Sequence, residues 1–145
     1  MGAVAYFKPV ENEELASIKS GEIEVDEFLF PDHTTNPFEG QFSLAKAWHV
    51  IHFIISGDKQ ANDTALGRAV LGGDQIGSDL GYGKARLIDS VEVEEISCAL
   101  DSFSWSRAEE NLDLASPIID ELYMGNTLKN GSFEELRGYF EQLCE

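Results

Sequence analysis

The stretch Ser43-Leu-Ala-Lys-Ala-Trp-His-Val-Ile-His-Phe-Ile-Ile-Ser56, closed by Gly57, is the most informative in the chain. Its composition predicts a helix from Leu44 to about Ser56, capped by Ser43 and stopped by Gly57. At 100° per residue, Leu44, Ala47, Val50, Ile51, Ile54 and Ile55 fall on one broad arc, with Trp48 at its edge. His49, His52 and Ser56 fall together on the opposite side.

Upstream of this helix, Ala3 to Phe7 reads as a short strand ending before Pro9, and Glu11 to Lys19 as an acidic helix ending at Ser20-Gly21. Residues 22–30 are compatible with strand or helix. Pro31 to Gly40, with two prolines and Asp-His-Thr-Thr-Asn, reads as a loop. Downstream, Arg68 to Leu71 and Arg86 to Ile88 read as short strands flanking the glycine-rich segment Gly72 to Gly83. Val91 to Phe103 is an amphipathic helix with Val93, Ile96, Leu100 and Phe103 on one stripe. Ser116-Pro117 opens another helix, and the capping box Ser132-Phe-Glu-Glu135 opens a last one, with Phe133, Leu136, Phe140 and Leu143 on its apolar face. Short strands alternating with longer helices predict an α/β fold: one three-layer-like domain over residues 1–145, a small mixed sheet flanked by helices, with α+β as the alternative.

The charge narrows the partners. Twenty-seven acidic against ten basic residues give a formal net charge of -17. Such a surface repels phosphate backbones and anionic lipids, so nucleic-acid and membrane-surface binding are not expected, whereas a basic protein partner is compatible. No apolar stretch approaches the length of a membrane span, and the N-terminus lacks the pattern of a signal peptide. Cys98 and Cys144 form neither a CxxC nor a metal-ligand spacing, which suits a reduced, cytoplasmic setting.

Two places can carry chemistry. His49 and His52 are three residues apart and can reach a common point beside their helix. Imidazoles so placed can pack under a neighbouring loop and hydrogen-bond to backbone, which is the simplest reading. They can also share a metal or supply a general base. A bare HxxH provides neither the built-in base nor the third ligand of HExxH; Asp74, Asp79 or His33 would have to complete it, and no metal or cofactor is expected. The second place is the glycine-rich segment. It is not a Walker loop, because Ala85 follows Lys84 where a hydroxyl is needed, and it lacks the third glycine of a dinucleotide fingerprint. Its glycines indicate unusual backbone angles or a close approach, and Asp79, Tyr82 and Arg86 are the polar groups it presents; Asp79 and Arg86 can pair to hold the loop. No Ser sits in a GxSxG elbow, and Cys98 has no histidine near it in sequence.

Three stretches resemble the YfbM-like family of small bacterial proteins, a domain of unknown function. They are Ala5-Tyr-Phe7, Lys46-Ala-Trp-His-Val-Ile-His-Phe53, and Leu71-Gly-Gly73 with Ile76-Gly-Ser-Asp-Leu-Gly-Tyr-Gly-Lys-Ala-Arg86. The resemblance implies a cytoplasmic protein with a three-layer α/β-type fold. It places Trp48, His49, His52, Asp79, Tyr82 and Arg86 on signature positions and assigns no role to any of them. Ala5 stands where the family usually has glycine, and Lys84 where it commonly has proline.

Two functions of different class fit these features. One is a non-catalytic acidic protein that binds a basic partner, as an inhibitor or immunity-type protein does. The alternative is a small enzyme or small-molecule-binding domain using the His49/His52 face and the Asp79–Arg86 loop.

Overall fold

The computed structural model describes residues 4–30, 41–81, 83–115, 118, 121–122 and 133–144. The fold mixes helix and strand in the α+β manner, with two two-stranded sheets among the described residues. The residues fall into two compact units. One takes in the described parts of Met1–Ala5, Leu44–Gly73 and Ile88–Glu145, the other those of Tyr6–Ser43 and Asp74–Leu87.

The first unit is built on the helix expected from the opening stretch, but that helix starts later. Residues Phe42–Ala45 form strand β2, paired with β1 (Ala5–Phe7), and the helix, α3, spans Trp48–Ser56. The change of direction sits at Ala45, whose φ of 48° is left-handed, and at a turn closed by the Ala47 N–H on the Leu44 carbonyl at 3.0 Å. Ser43 and Leu44 therefore belong to the strand, and Ser43 does not cap the helix. Periodicity could not place this boundary, because an alternating strand and an apolar helix arc share Leu44. Gly57 ends α3 as expected, at φ 74° with its N–H on the Phe53 carbonyl.

The amphipathic reading of α3 is exceeded. All six residues from Val50 to Ile55 are buried, including His52, so the helix is enclosed on every side. Around it lie α4 (Ala65–Leu71), α6 (Trp105–Ala115) and α7 (Phe133–Cys144). Arg68 to Leu71, expected as a strand, is the end of α4. Thr64 caps that helix by accepting the Gly67 N–H at 3.0 Å, and a four-residue apolar run does not distinguish strand from helix. Helix α6 carries no expectation from the sequence. Its spacing Trp105, Ala108, Leu112 was the available signal, weakened because Ala108 is small and Leu114 points to solvent.

Helix α5 (Ser90–Asp101) matches the expected amphipathic helix. Ile96, Leu100 and the following Phe103 are buried, while Val93, placed on the same stripe, is half exposed. Arg68 clamps α4 to α5, its guanidinium reaching Glu95 at 2.8 Å and Glu92 at 3.5 Å. Phe140 of α7 packs against Phe103 and Trp105, with ring centroids 5.8 and 5.4 Å apart. The capping Ser132, the helix start at Ser116-Pro117 and the loop Pro31 to Gly40 lie outside the described residues.

In the second unit, α1 (Asn12–Ser20) follows β1 as expected and ends at Gly21 with φ 83°. The undecided segment resolves as helix α2 (Val25–Leu29). Phe7 stacks on Phe42, Lys8 covers the Phe28 ring and reaches its carbonyl, and Gln41 Nε2 donates to the Leu29 carbonyl at 2.9 Å. The glycine-rich segment forms an antiparallel hairpin of β3 (Asp74–Asp79) and β4 (Lys84–Leu87), with a bulge between Ile76 and Asp79.

Gly77 occupies that bulge at φ 72°, and a Cβ there would lie 2.8 Å from the Cβ of Val25. Both the backbone angle and the helix against it exclude a side chain. Gly77→Ala should lower stability by about 1–3 kcal/mol, read from urea denaturation. Pairing it with Val25→Ala, which removes the γ-carbons at 3.0 and 3.2 Å but keeps the Cβ at 2.8 Å, should recover only part of the loss; full recovery, or no loss in the single variant, would contradict this account of the glycine.

Candidate functional site

The sequence-derived candidates are divided between the two units. Trp48, His49 and His52 stand on α3 in the first, while Asp79 and Arg86 stand on the hairpin in the second. Tyr82 and His33 lie outside the described residues.

On α3 both histidines face the loop that joins α3 to α4. His52 Nε2 lies 2.9 Å from the Gln60 carbonyl, and His49 Nε2 lies 2.7 Å from that of Lys59. A carbonyl only accepts, so each Nε2 carries the proton of that bond. Ser56 extends the attachment: its Oγ donates to the His52 carbonyl at 2.7 Å and accepts from the Asp58 N–H at 3.1 Å. Asp58 then receives the Gln60 N–H on Oδ1 at 3.0 Å. The three residues that the helical wheel put together therefore hold one loop against one helix. Trp48 stacks beside His49, ring centroids 5.2 Å apart and nearly parallel.

His52 is fully buried, and with the proton on Nε2 its Nδ1 is a lone pair with no hydrogen-bond partner among the described residues. Burial is the largest influence on the imidazole and pushes its pKa below the ordinary histidine value. The Gln60 carbonyl opposes this, the His49 ring adds to it, and Asp58 opposes it weakly. The neutral ring is the form that fits.

On the hairpin, Asp79 accepts the N–H of Gly81 at 2.7 Å and of Gly83 at 3.4 Å, and Leu80 N–H reaches the Gly83 carbonyl at 2.9 Å. The turn places Gly81 and Gly83 at φ 109° and 112°, angles that a side chain would resist. The register sets Asp79 opposite Lys84 and Arg86 opposite Gln75, so the carboxylate serves the turn rather than standing across from Arg86. The unusual backbone angles expected from this segment are present, and they are those of a bulged hairpin.

Among the described residues no group of three or more His, Cys, Asp and Glu side chains is arranged to hold a metal ion, and no helix is long and apolar enough to cross a membrane. Cys98 is exposed on α5. A feature the sequence did not announce is a groove of about 380 Å³ in the first unit, bounded by the end of α3, the start of α4, α5 and α6.

A family profile described as a domain of unknown function, DUF1877, matches residues 1–145. The chain belongs to that family. No curated protein and no solved structure matches it. Within this DUF1877 chain, the Trp-His-Val-Ile-His-Phe motif builds a buried helix and its loop attachment, and the Gly-Ser-Asp-Leu-Gly motif builds a hairpin turn.

The His52 geometry has a pH consequence. Its folded pKa is depressed, so the unfolded chain binds the proton more readily. Its contribution to stability is complete above about pH 6.5 and is lost as pH falls toward the folded value. One proton limits the slope to about 1.4 kcal/mol per pH unit. Urea midpoints should fall between about pH 6.5 and pH 5, and His52→Gln, which keeps a donor for the Gln60 carbonyl, should flatten that fall. A wild-type midpoint that stays level over this range would refute the assignment.

Proposed function

We propose that this DUF1877 protein is a non-catalytic binding protein that engages a basic protein partner, in the manner of an inhibitor or immunity-type protein. The observation that carries the reading is the charge of -17, together with where its carboxylates stand. Glu94, Glu95 and Asp101 on α5, Glu109, Glu110 and Asp113 on α6, and Glu134, Glu135 and Glu141 on α7 are all exposed. A field of one sign steers an oppositely charged partner and raises the association rate more than the lifetime of the complex.

The histidine geometry supports the same preference. A general base needs a nitrogen facing substrate, whereas Nε2 of both imidazoles faces a loop carbonyl and His52 is closed to solvent. This favours the binding reading over an enzyme built on the His49/His52 face and the Asp79–Arg86 loop. The narrower assignments belong to the proposal as well: a YfbM-like, bacterial, cytoplasmic protein acting as one domain over residues 1–145. The motifs Lys46 to Phe53 and Ile76 to Arg86 support the first of these.

Capture of tagged protein from native lysate at low salt should yield a stoichiometric basic partner. With that partner purified, stopped-flow association should slow by about tenfold or more when salt is raised from low to several hundred millimolar, with a smaller change in dissociation. Association insensitive to salt, or a protein that purifies alone under these conditions, would overturn the proposal.

A further inference from the structure

The groove in the first unit interrupts the acidic surface. None of its ten lining residues is acidic, in a chain with 27 acidic residues in 145, and one of them is Arg107. Its floor is apolar, with Ile55 and Phe103 buried and Leu66 and Ala99 half-buried. It is a shallow, open groove of about 380 Å³, so a ligand would keep one side in water.

Two polar groups on α6, one helical turn apart, face this floor. The Arg107 guanidinium lies over the Phe103 ring, its carbon 5.5 Å from the centroid. Among the described residues it has no carboxylate partner, unlike Arg68, Lys59 and Arg137. The ring makes no hydrogen bond with the cation, so the guanidinium N–H groups remain for a planar anion. Asn111 donates from Nδ2 to the Ile54 carbonyl at 2.8 Å, which fixes the amide, and its Oδ1 faces Gly57, 3.9 Å from where a Cβ would stand. Oδ1 is therefore an acceptor at the same groove. The hydroxyls of Ser56 and Thr64 are already engaged, with the His52 carbonyl and with Gly67.

We propose that this groove binds a free apolar amino acid. The carboxylate sits on the Arg107 edge, the ammonium on Asn111 Oδ1, and the side chain on Ile55, Leu66, Ala99 and Phe103. Charge selects the zwitterion. A dianion such as phosphate would meet a single cation within a protein of net charge -17, whereas an amino acid is neutral overall and presents one charge to each of the two groups. The groove adjoins the histidine–loop attachment at Ser56 and Gly57 and takes in neither imidazole, and the proposal stands apart from the partner reading.

The test is titration of the uniformly ¹⁵N-labelled full chain with leucine. Saturable shifts should appear at Gly57, Leu66, Ala99, Arg107 and Asn111. Leucinamide, which lacks the carboxylate, and isocaproate, which lacks the ammonium, should each bind about tenfold or more weaker, as loss of a charged hydrogen bond requires. Arg107→Gln should weaken leucine to a similar extent while leaving the spectrum elsewhere unchanged, and Ala99→Leu should abolish binding by filling the floor. Absence of saturable shifts with leucine, or equal binding of leucinamide and leucine by the wild-type protein, overturns the proposal; so does full affinity in Arg107→Gln.

Discussion

The first unit depends on enclosing α3. Six consecutive residues, Val50 to Ile55, lose contact with water, and five of them are large and apolar. At about 1.5–3 kcal/mol for each fully buried aliphatic or aromatic side chain, this one helix supplies a substantial share of the unit's driving force. Enclosure has a condition: neighbours must cover every face. Helices α4, α6 and α7 do so, and the covering extends past the helix end, where Asn111 reaches the Ile54 carbonyl. The face turned toward the α3–α4 loop is closed by the loop itself, held down by imidazoles.

That closure explains how polar residues come to stand in an otherwise apolar motif. A loop held against a helix is attached through its backbone polar groups, and a carbonyl turned toward the helix takes a donor from it. Nε2 of His49 and His52 meets the carbonyls of Lys59 and Gln60, and the Ser56 hydroxyl turns the chain at Asp58. A lysine could donate as well but would bring a permanent charge to a fully buried position; a neutral imidazole does not. The Nδ1 of His52, without a partner among the described residues, is the residual cost of this solution.

Parts of this were legible in the sequence and parts were not, for reasons that differ by element. The helix through Trp48 to Ser56, the helix from Ser90 and the short strand at Ala5 were readable because apolar periodicity marked both helices, Gly57 stopped the first, and Pro9 bounded the strand. The start of α3 was not, since the left-handed position that separates strand from helix is Ala45, not a glycine or asparagine that would mark it. Arg68 to Leu71 reads as strand in isolation because four residues are too few to show a period. Helix α6 escaped because its buried face is anchored by Ala108, which sequence patterns weigh lightly. The juxtaposition of His49, His52 and Ser56 was legible from helical spacing, and loop packing was among the roles that spacing left open. The glycine-rich segment announced its backbone angles but not the bulge that uses them.

Such motifs are easily read as catalytic because they combine glycine, histidine and acids. Here the physical demands of the backbone account for much of that composition. Gly77 makes room for Val25, Asp79 satisfies the amides of a tight turn, and the histidines satisfy carbonyls. Side chains already engaged in this way have limited capacity to serve a ligand. In the first unit, the polar groups on the groove without such obligations are Arg107, whose charge has no opposite partner among the described residues, and Asn111 Oδ1, left over once Nδ2 has fixed the amide. Neither stands in a recognisable motif. In a chain whose signature residues are occupied in holding the fold, a binding site is better sought among polar atoms with unused valence on an apolar floor.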